Sequence, residues 1–296
     1  MTITEHAVAG PDAGPYAITT GPDGALWFTM VHSSRIGRLI PGSEPASHEL
    51  GPGRGPTIIV PGPDGALWFT EYQAHRIGRI TTGGVVDEFA LPTPGCGPFG
   101  IAPGPDGALW FTETAADRIG RITPDGQVTE FPLPVAGGFP SAIAAGGDGG
   151  LWFTLNQAGA LGRIGTDGAI SLHALPTKDA APVGIAAGQD GALWFVEIAA
   201  GQIGRITPDG RITEFPLPDR TARPHAVTTD AGGVPWFTEW GTGRVGAVAA
   251  DGTIEVYGLP TPGCEPHGIT LGPDGALWTA LEIGALARIA PAHGRT

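Results

Sequence analysis

Seven tryptophans in one phase, seven prolines in the same phase and four short strand-like segments per interval predict an all-β protein: a seven-bladed β-propeller with four antiparallel strands per blade. The tryptophans are Trp27, Trp68, Trp110, Trp152, Trp194, Trp236 and Trp278, spaced by 41 and then five times by 42 residues. Pro15, Pro56, Pro98, Pro140, Pro182, Pro224 and Pro266 keep that step. The repeat accounts for nearly all of the 296 residues, so residues 1–296 are expected to form a single propeller domain.

Each unit divides in the same way. PxGIA opens the first strand, and GPDG is a tight turn in which Pro presets φ and Gly supplies φ > 0. ALWFTE, apolar and aromatic, is the second strand; RIGRI is the third; after a TPDG turn, ITEFPLP is the fourth, its prolines suited to an edge. The N-terminal ITEHAV (3–8) lies twelve residues before Pro15, as VTEFPL (128–133) lies twelve before Pro140. The chain therefore starts with a fourth strand and stops, at LARIAPAHGRT, just after a third. The N-terminal strand is expected to complete the last blade and leave the ring without a free edge.

Composition agrees once the turns are assigned. The 50 Gly and 30 Pro make about 27% of the chain, a level common in low-complexity sequence. Against disorder stand 41% hydrophobic residues and eight tryptophans, and nearly every Gly and Pro has a turn or edge position. A net charge of -13 repels phosphate backbones and anionic lipid, arguing against nucleic-acid or membrane partners. MTITEHAVAG has no Lys, no Arg and no apolar core of a leader, and no apolar run reaches about 18 residues. The expectation is a soluble, cytoplasmic monomer.

A repeat separates scaffold from chemistry, because a residue type that recurs in most units serves the fold. The PDG turns, the WF pairs, RIGR and the glutamates three residues after Trp (Glu71, Glu113, Glu197, Glu239) are read as structural or surface residues. Residues that break the repeat on one face are the leads. The first strand starts, and the second ends, at the rim opposite the GPDG turns. The residues after the phased prolines thus ring the mouth of the channel: Tyr16, Thr57, Phe99, Ser141, Val183, His225 and His267.

The stretch TPGCEPHGITLGPDGALW (261–278) copies TPGCGPFGIAPGPDGALW (93–110) at fourteen of eighteen positions, yet Glu265 and His267 replace Gly97 and Phe99. Two apart on an extended segment, both side chains are expected to leave from one side. Pairing Leu271 opposite Ala276 places Glu265 opposite Glu282, which stands four residues after its Trp in a unit one residue short. That parity is expected to turn Glu282 to the mouth. Two carboxylates suit a hard divalent cation such as Mg²⁺, and a histidine is the available proton acceptor near neutral pH. Spacing alone leaves open that the histidines are satisfied loop residues and the glutamates a solvated pair.

At these residues the chain resembles the streptogramin B lyase (virginiamycin B lyase) family over its whole length, through the WFTE and RIGRIT repeats and the singular CEPHGI, WTALE, RPHAV and GPYAI segments. The resemblance implies metal-binding Glu265 and Glu282, His267 as general base, His225 as a substrate contact and Tyr16 as a channel-facing aromatic. It implies a Mg²⁺-dependent, water-free opening of a cyclic depsipeptide antibiotic at its threonyl ester, and hence antibiotic resistance. His225 would orient the substrate or protonate the leaving group. WTALE departs by lacking the aromatic of the WF pairs.

Two other classes stay in view: a metal-dependent lactonase or esterase acting by hydrolysis, and a non-catalytic ligand-binding propeller. Trp240, outside the tryptophan phase, is either a substrate-stacking wall or a capped surface aromatic. Cys96 and Cys264, four repeats apart, are too far across the ring for a disulfide and are read as free thiols of a reducing compartment. His6 and His173 replace Phe of the fourth strand and are expected to pack there. His32, His48, His75 and His293 are placed in loops or the tail, with no partner pattern.

Overall fold

The 42-residue unit folds as four strands; in the third these are Pro98–Pro103, Leu109–Glu113, Arg118–Ile122 and Val128–Pro132, hydrogen-bonded in that order. The structure, a computed structural model, describes residues 1–290 and contains seven such antiparallel sheets and, among those residues, no helix. Consecutive blades pack through their first strands, and the first strand of blade 7, Pro266–Leu271, packs against that of blade 1, Pro15–Thr20. Thr2–Ala7 pairs with Ala285–Ala290, the third strand of blade 7, so the N-terminal strand closes the ring as expected. His293 lies outside the described residues.

One aspartate in the first turn ties Trp to Arg in most units. Asp106 Oδ1 accepts the Trp110 indole N–H at 3.0 Å, and its Oδ2 accepts Arg121 Nε–H at 2.7 Å. Burial alone would raise this carboxyl, but the Trp and Arg hydrogen bonds outweigh it and hold the group below 3.8. Asp23, Asp64 and Asp274 hold Trp27, Trp68 and Trp278 at the same 3.0 Å. The glycine of RIGRI has a packing reason: a Cβ on Gly120 would lie 2.1 Å from the ring of Phe111, its cross-strand partner. Blade 7 makes the compensating pair, Thr279 opposite Ala287. WTALE therefore keeps its strand position despite the missing aromatic.

Trp110 stacks on Phe131 with centroids 5.5 Å apart, and His6 and His173 take that place against Trp278 and Trp152, at 5.1 and 4.9 Å. His48, placed in a loop by sequence, instead lies in the strand Ala46–Glu49 and stacks on Trp27.

Buried threonines join the blades. Thr70, Thr112 and Thr238 donate to the carbonyls of Phe99, Ser141 and His267 in the following blade, at 2.6, 2.6 and 2.8 Å. Blade 7 has Ala280 at this position, so its junction with blade 1 lacks that link.

The glutamates three residues after Trp are not surface groups. Glu71, Glu113, Glu197 and Glu239 have no solvent exposure, and both oxygens of Glu71 and Glu113 lack a hydrogen-bond partner. Burial above all, then the fourth-strand carboxylates Glu88 and Glu130, push Glu71 and Glu113 up to about 8; Glu197 reaches about 8 mainly by burial.

Two predictions follow from this packing. Trp152→Ala, at a site 1% exposed, should cost about 3–5 kcal/mol by denaturant unfolding; a loss under about 1 kcal/mol would contradict its core role. The folded protein keeps the Glu71, Glu113 and Glu197 protons up to about 8, while the unfolded chain releases them near 4.5, so stability should fall as pH rises through that window. Melting temperatures against pH should flatten in the triple Glu→Gln variant, and an unchanged slope would refute the assignment.

Candidate active site

The residue before each phased proline adopts a left-handed backbone in all seven blades, from φ +66° at Gly14 to +47° at Glu265. Three blades use glycine there, whereas Phe139, Ala181, Arg223 and Glu265 carry a side chain into a region that favours glycine. Glu265 is thus not on an extended segment, and its alternation with His267 is not the reason they share a side. The left-handed turn brings the carboxylate over the mouth instead.

Glu282 reaches the same place by a different register from the one expected. Leu271 pairs with Leu277, not Ala276, and an irregularity between Pro266 and Ile269 restores the offset, so that Pro266 pairs with Leu281. Glu282 N–H then donates to Glu265 O at 3.4 Å, as Tyr72 and Trp240 N–H donate to Gly55 and Arg223 O in their own blades, and also to Cys264 O at 3.1 Å. Its place is ordinary; the missing residue shortens the following turn to three residues, 282–284, against four in blade 3. The parity argument holds because this position lines the mouth cavity in blades 1 to 3, at Val31, Tyr72 and Thr114, while the one before it, Leu281 here, is buried.

Ligand atoms of Glu265, His267 and Glu282 all lie within 4.8 Å of one another. Two carboxylates and an imidazole suit a small divalent cation: donors at about 2.1 Å from Mg²⁺ stand at most about 4.2 Å apart, so little contraction is needed. His267, 7% exposed, places Nε2 at 2.7 Å from Glu282 Oε2. Burial drives its pKa below 6.5 even against the Glu282 hydrogen bond, which keeps the ring neutral near pH 7. Burial would raise Glu282, but hydrogen bonds from His267 and His32 prevail and hold it ionised.

His225 and Tyr16 complete an aromatic cluster on His267, with ring centroids 4.8 and 4.5 Å from it. Tyr16 Oη lies 3.2 Å from His225 Nε2. Burial first, then His267, pulls His225 down to about 3, so it orients through a neutral N–H and is not a standing acid. Burial and Glu282 hold the Tyr16 phenol protonated. Trp240 donates its indole N–H to Glu265 Oε2 at 3.2 Å and carries Arg223 over its ring at 5.3 Å. It is capped on one side and bonded to a candidate ligand on the other. Cys264 is buried, and burial pushes its thiol up to about 11, unsuited to a nucleophile. Cys96 is likewise free and buried.

Beside the cluster a cavity of about 420 Å³ opens at the mouth, walled largely by apolar groups including Ile58, Tyr72, Phe99, Phe139 and Val183. Six of the seven predicted mouth residues line it; His267 stands at its edge, next to the lining Gly268. Sequence reasoning missed His32, whose Nε2 lies 2.8 Å from Glu282 Oε1. The available signal was its position five residues after Trp27, on the mouth-side loop, where no other unit has a histidine.

A sequence model of the Virginiamycin B lyase family matches residues 1–289. Among curated proteins, a virginiamycin B lyase of Saccharopolyspora erythraea is 64% identical over 50 residues, so the chain matches only 17% of that protein's length. A solved streptogramin B lyase structure superposes with TM-score 0.94 at 43% identity, covering 97% of this chain and 96% of that one. A catalytically inactive histidine-to-alanine variant of the Staphylococcus aureus virginiamycin B lyase, solved with quinupristin, superposes with TM-score 0.95 at 42% identity, covering 98% and 99%. With the match running from the first strand to the last, this chain belongs to the virginiamycin B lyase family.

Proposed function

We propose that this protein is a lyase that linearises streptogramin B-type cyclic depsipeptides at the threonyl ester, and thereby gives resistance to these antibiotics. The observation that carries the reading is the meeting of Glu265, His267 and Glu282 at the edge of an apolar cavity, in a member of this family. The cavity suits a peptide ring with apolar and aromatic side chains, since its wall offers aromatic faces with few charges.

His267 is the proton acceptor. Its ring is neutral, and Nε2 faces the two carboxylates while Nδ1 is buried without a partner. With Nε2 free of Glu282 and the ring proton on Nδ1, Nε2 takes the threonyl α-proton; the C–H electron pair forms the Cα=Cβ bond, the Cβ–O bond breaks, and the ester oxygen leaves as carboxylate. The products are a linear peptide acid and a dehydrobutyrine residue, with no water consumed. Neutral His225 and the Tyr16 hydroxyl, 3.2 Å apart, orient the substrate over that base. Glu265 and Glu282 would hold Mg²⁺, which when bound supplies positive charge to a substrate carbonyl oxygen as negative charge develops there.

The test is incubation with a streptogramin B in water labelled with heavy oxygen, read by mass spectrometry. Elimination leaves the product at the mass of the cyclic substrate and unlabelled; hydrolysis adds one water and places label in the new carboxylate, which would sink the proposal. His267→Ala should lower kcat by about 10²–10⁴-fold with an unchanged circular dichroism spectrum. Glu282→Gln should raise the Mg²⁺ concentration needed for half-maximal activity, and EDTA should abolish turnover. Near-normal turnover by His267→Ala would remove it as the base.

A further inference from the structure

We infer that His32 is a positioning residue for the cation site: from blade 1 it holds the outer oxygen of Glu282, in blade 7, and so sets the affinity of the site for a divalent cation. The inference rests on the reading of Glu265, His267 and Glu282 as the cation seat.

Glu282 is gripped by two imidazoles, one on each oxygen, with His267 Nε2 at 2.7 Å from Oε2 and His32 Nε2 at 2.8 Å from Oε1. An ionised carboxylate has no proton to give, so each contact needs N–H on the imidazole. The two grips are unequal in consequence. His267 belongs to the group whose ligand atoms converge; His32 does not, and meets Glu282 from outside it. When His267 releases its oxygen to act as a base, His32 is what still aims the carboxylate.

His32 is itself held. Its N–H donates to Ala13 O at 3.3 Å and the preceding Val31 N–H to Gly14 O at 2.9 Å. A Cβ on Gly14 would lie 2.4 Å from His32 Cδ2, so the imidazole rests directly on a glycine whose φ is +66°. The second carboxylate is treated in the same way from the other side, since Trp240 of blade 6 donates to Glu265 Oε2 at 3.2 Å. Each candidate carboxylate ligand is thus steadied by the neighbouring blade, and partners of this kind typically change metal affinity by about 10–100-fold. The His32 contact also bridges one of the two junctions, with Val196 in blade 5 and Ala280 in blade 7, that lack the linking threonine.

The experiment is isothermal titration of Mg²⁺, with Mn²⁺ as a parallel probe, into the full metal-free chain. Wild type should bind one cation, His32→Ala should bind it about 10–100-fold more weakly, and His32→Gln, whose amide can still donate to Glu282, should recover much of the loss. In a Glu282→Gln background His32→Ala should add nothing, which a merely structural role would not produce. Equal affinity of His32→Ala and wild type overturns the positioning role while leaving the cation seat intact. Absence of cation binding by wild type overturns the cation reading itself, and the role of His32 with it.

Discussion

The pairing of Thr2–Ala7 with Ala285–Ala290 is the constraint on which the site depends. It places blade 1 against blade 7, so residues from the two ends of the chain meet across one seam. Tyr16 and His32 come from one side; Glu265, His267 and Glu282 from the other; His225 and Trp240 stand on the adjoining blade 6. The seam is close-packed as well as paired. A Cβ on Gly268 would lie 2.9 Å from Ala17 Cα, and Val8 N–H donates to Gly284 O in the shortened turn. A ring opened there would leave blade 7 one strand short and part the residues of the site.

Burial then divides the protonation states. His267 and His225 are pushed toward the neutral form and Tyr16 is kept protonated, while Glu282 is ionised because two imidazoles reach it. A neutral imidazole beside a fixed negative charge suits proton abstraction, and Glu282 together with Glu265 would hold a divalent cation there that supplies positive charge. The buried glutamates of the scaffold take the other outcome. Arg54 and Arg76 near Glu71 and Arg118 near Glu113 do not offset burial, and both carboxyls are pushed up to about 8.

The fold was legible because the repeat makes nearly the same physical demands from unit to unit: in most an Asp binds the Trp indole and the Arg and a glycine lies under the Phe ring, and in all a left-handed residue precedes the proline. Glu265, His267 and Glu282 were legible as exceptions to it. The reasons that brought them together were less so. Alternation cannot foresee a left-handed Glu265, and pairing counted from the turn cannot foresee the irregularity after Pro266 that corrects it. His32 was missed because its partner is 250 residues away and is met only through closure of the ring. The burial of Glu71 and its counterparts was hidden by charge, which in sequence reads as surface.

The account is tested most directly by anomalous scattering from crystals grown with Mn²⁺. It predicts a single strong peak within bonding distance of Glu265 and Glu282 carboxylate oxygens, with His32 still on Glu282 and His267 Nε2 released toward the cavity. A cation bound elsewhere, with both carboxylates unliganded, would contradict it.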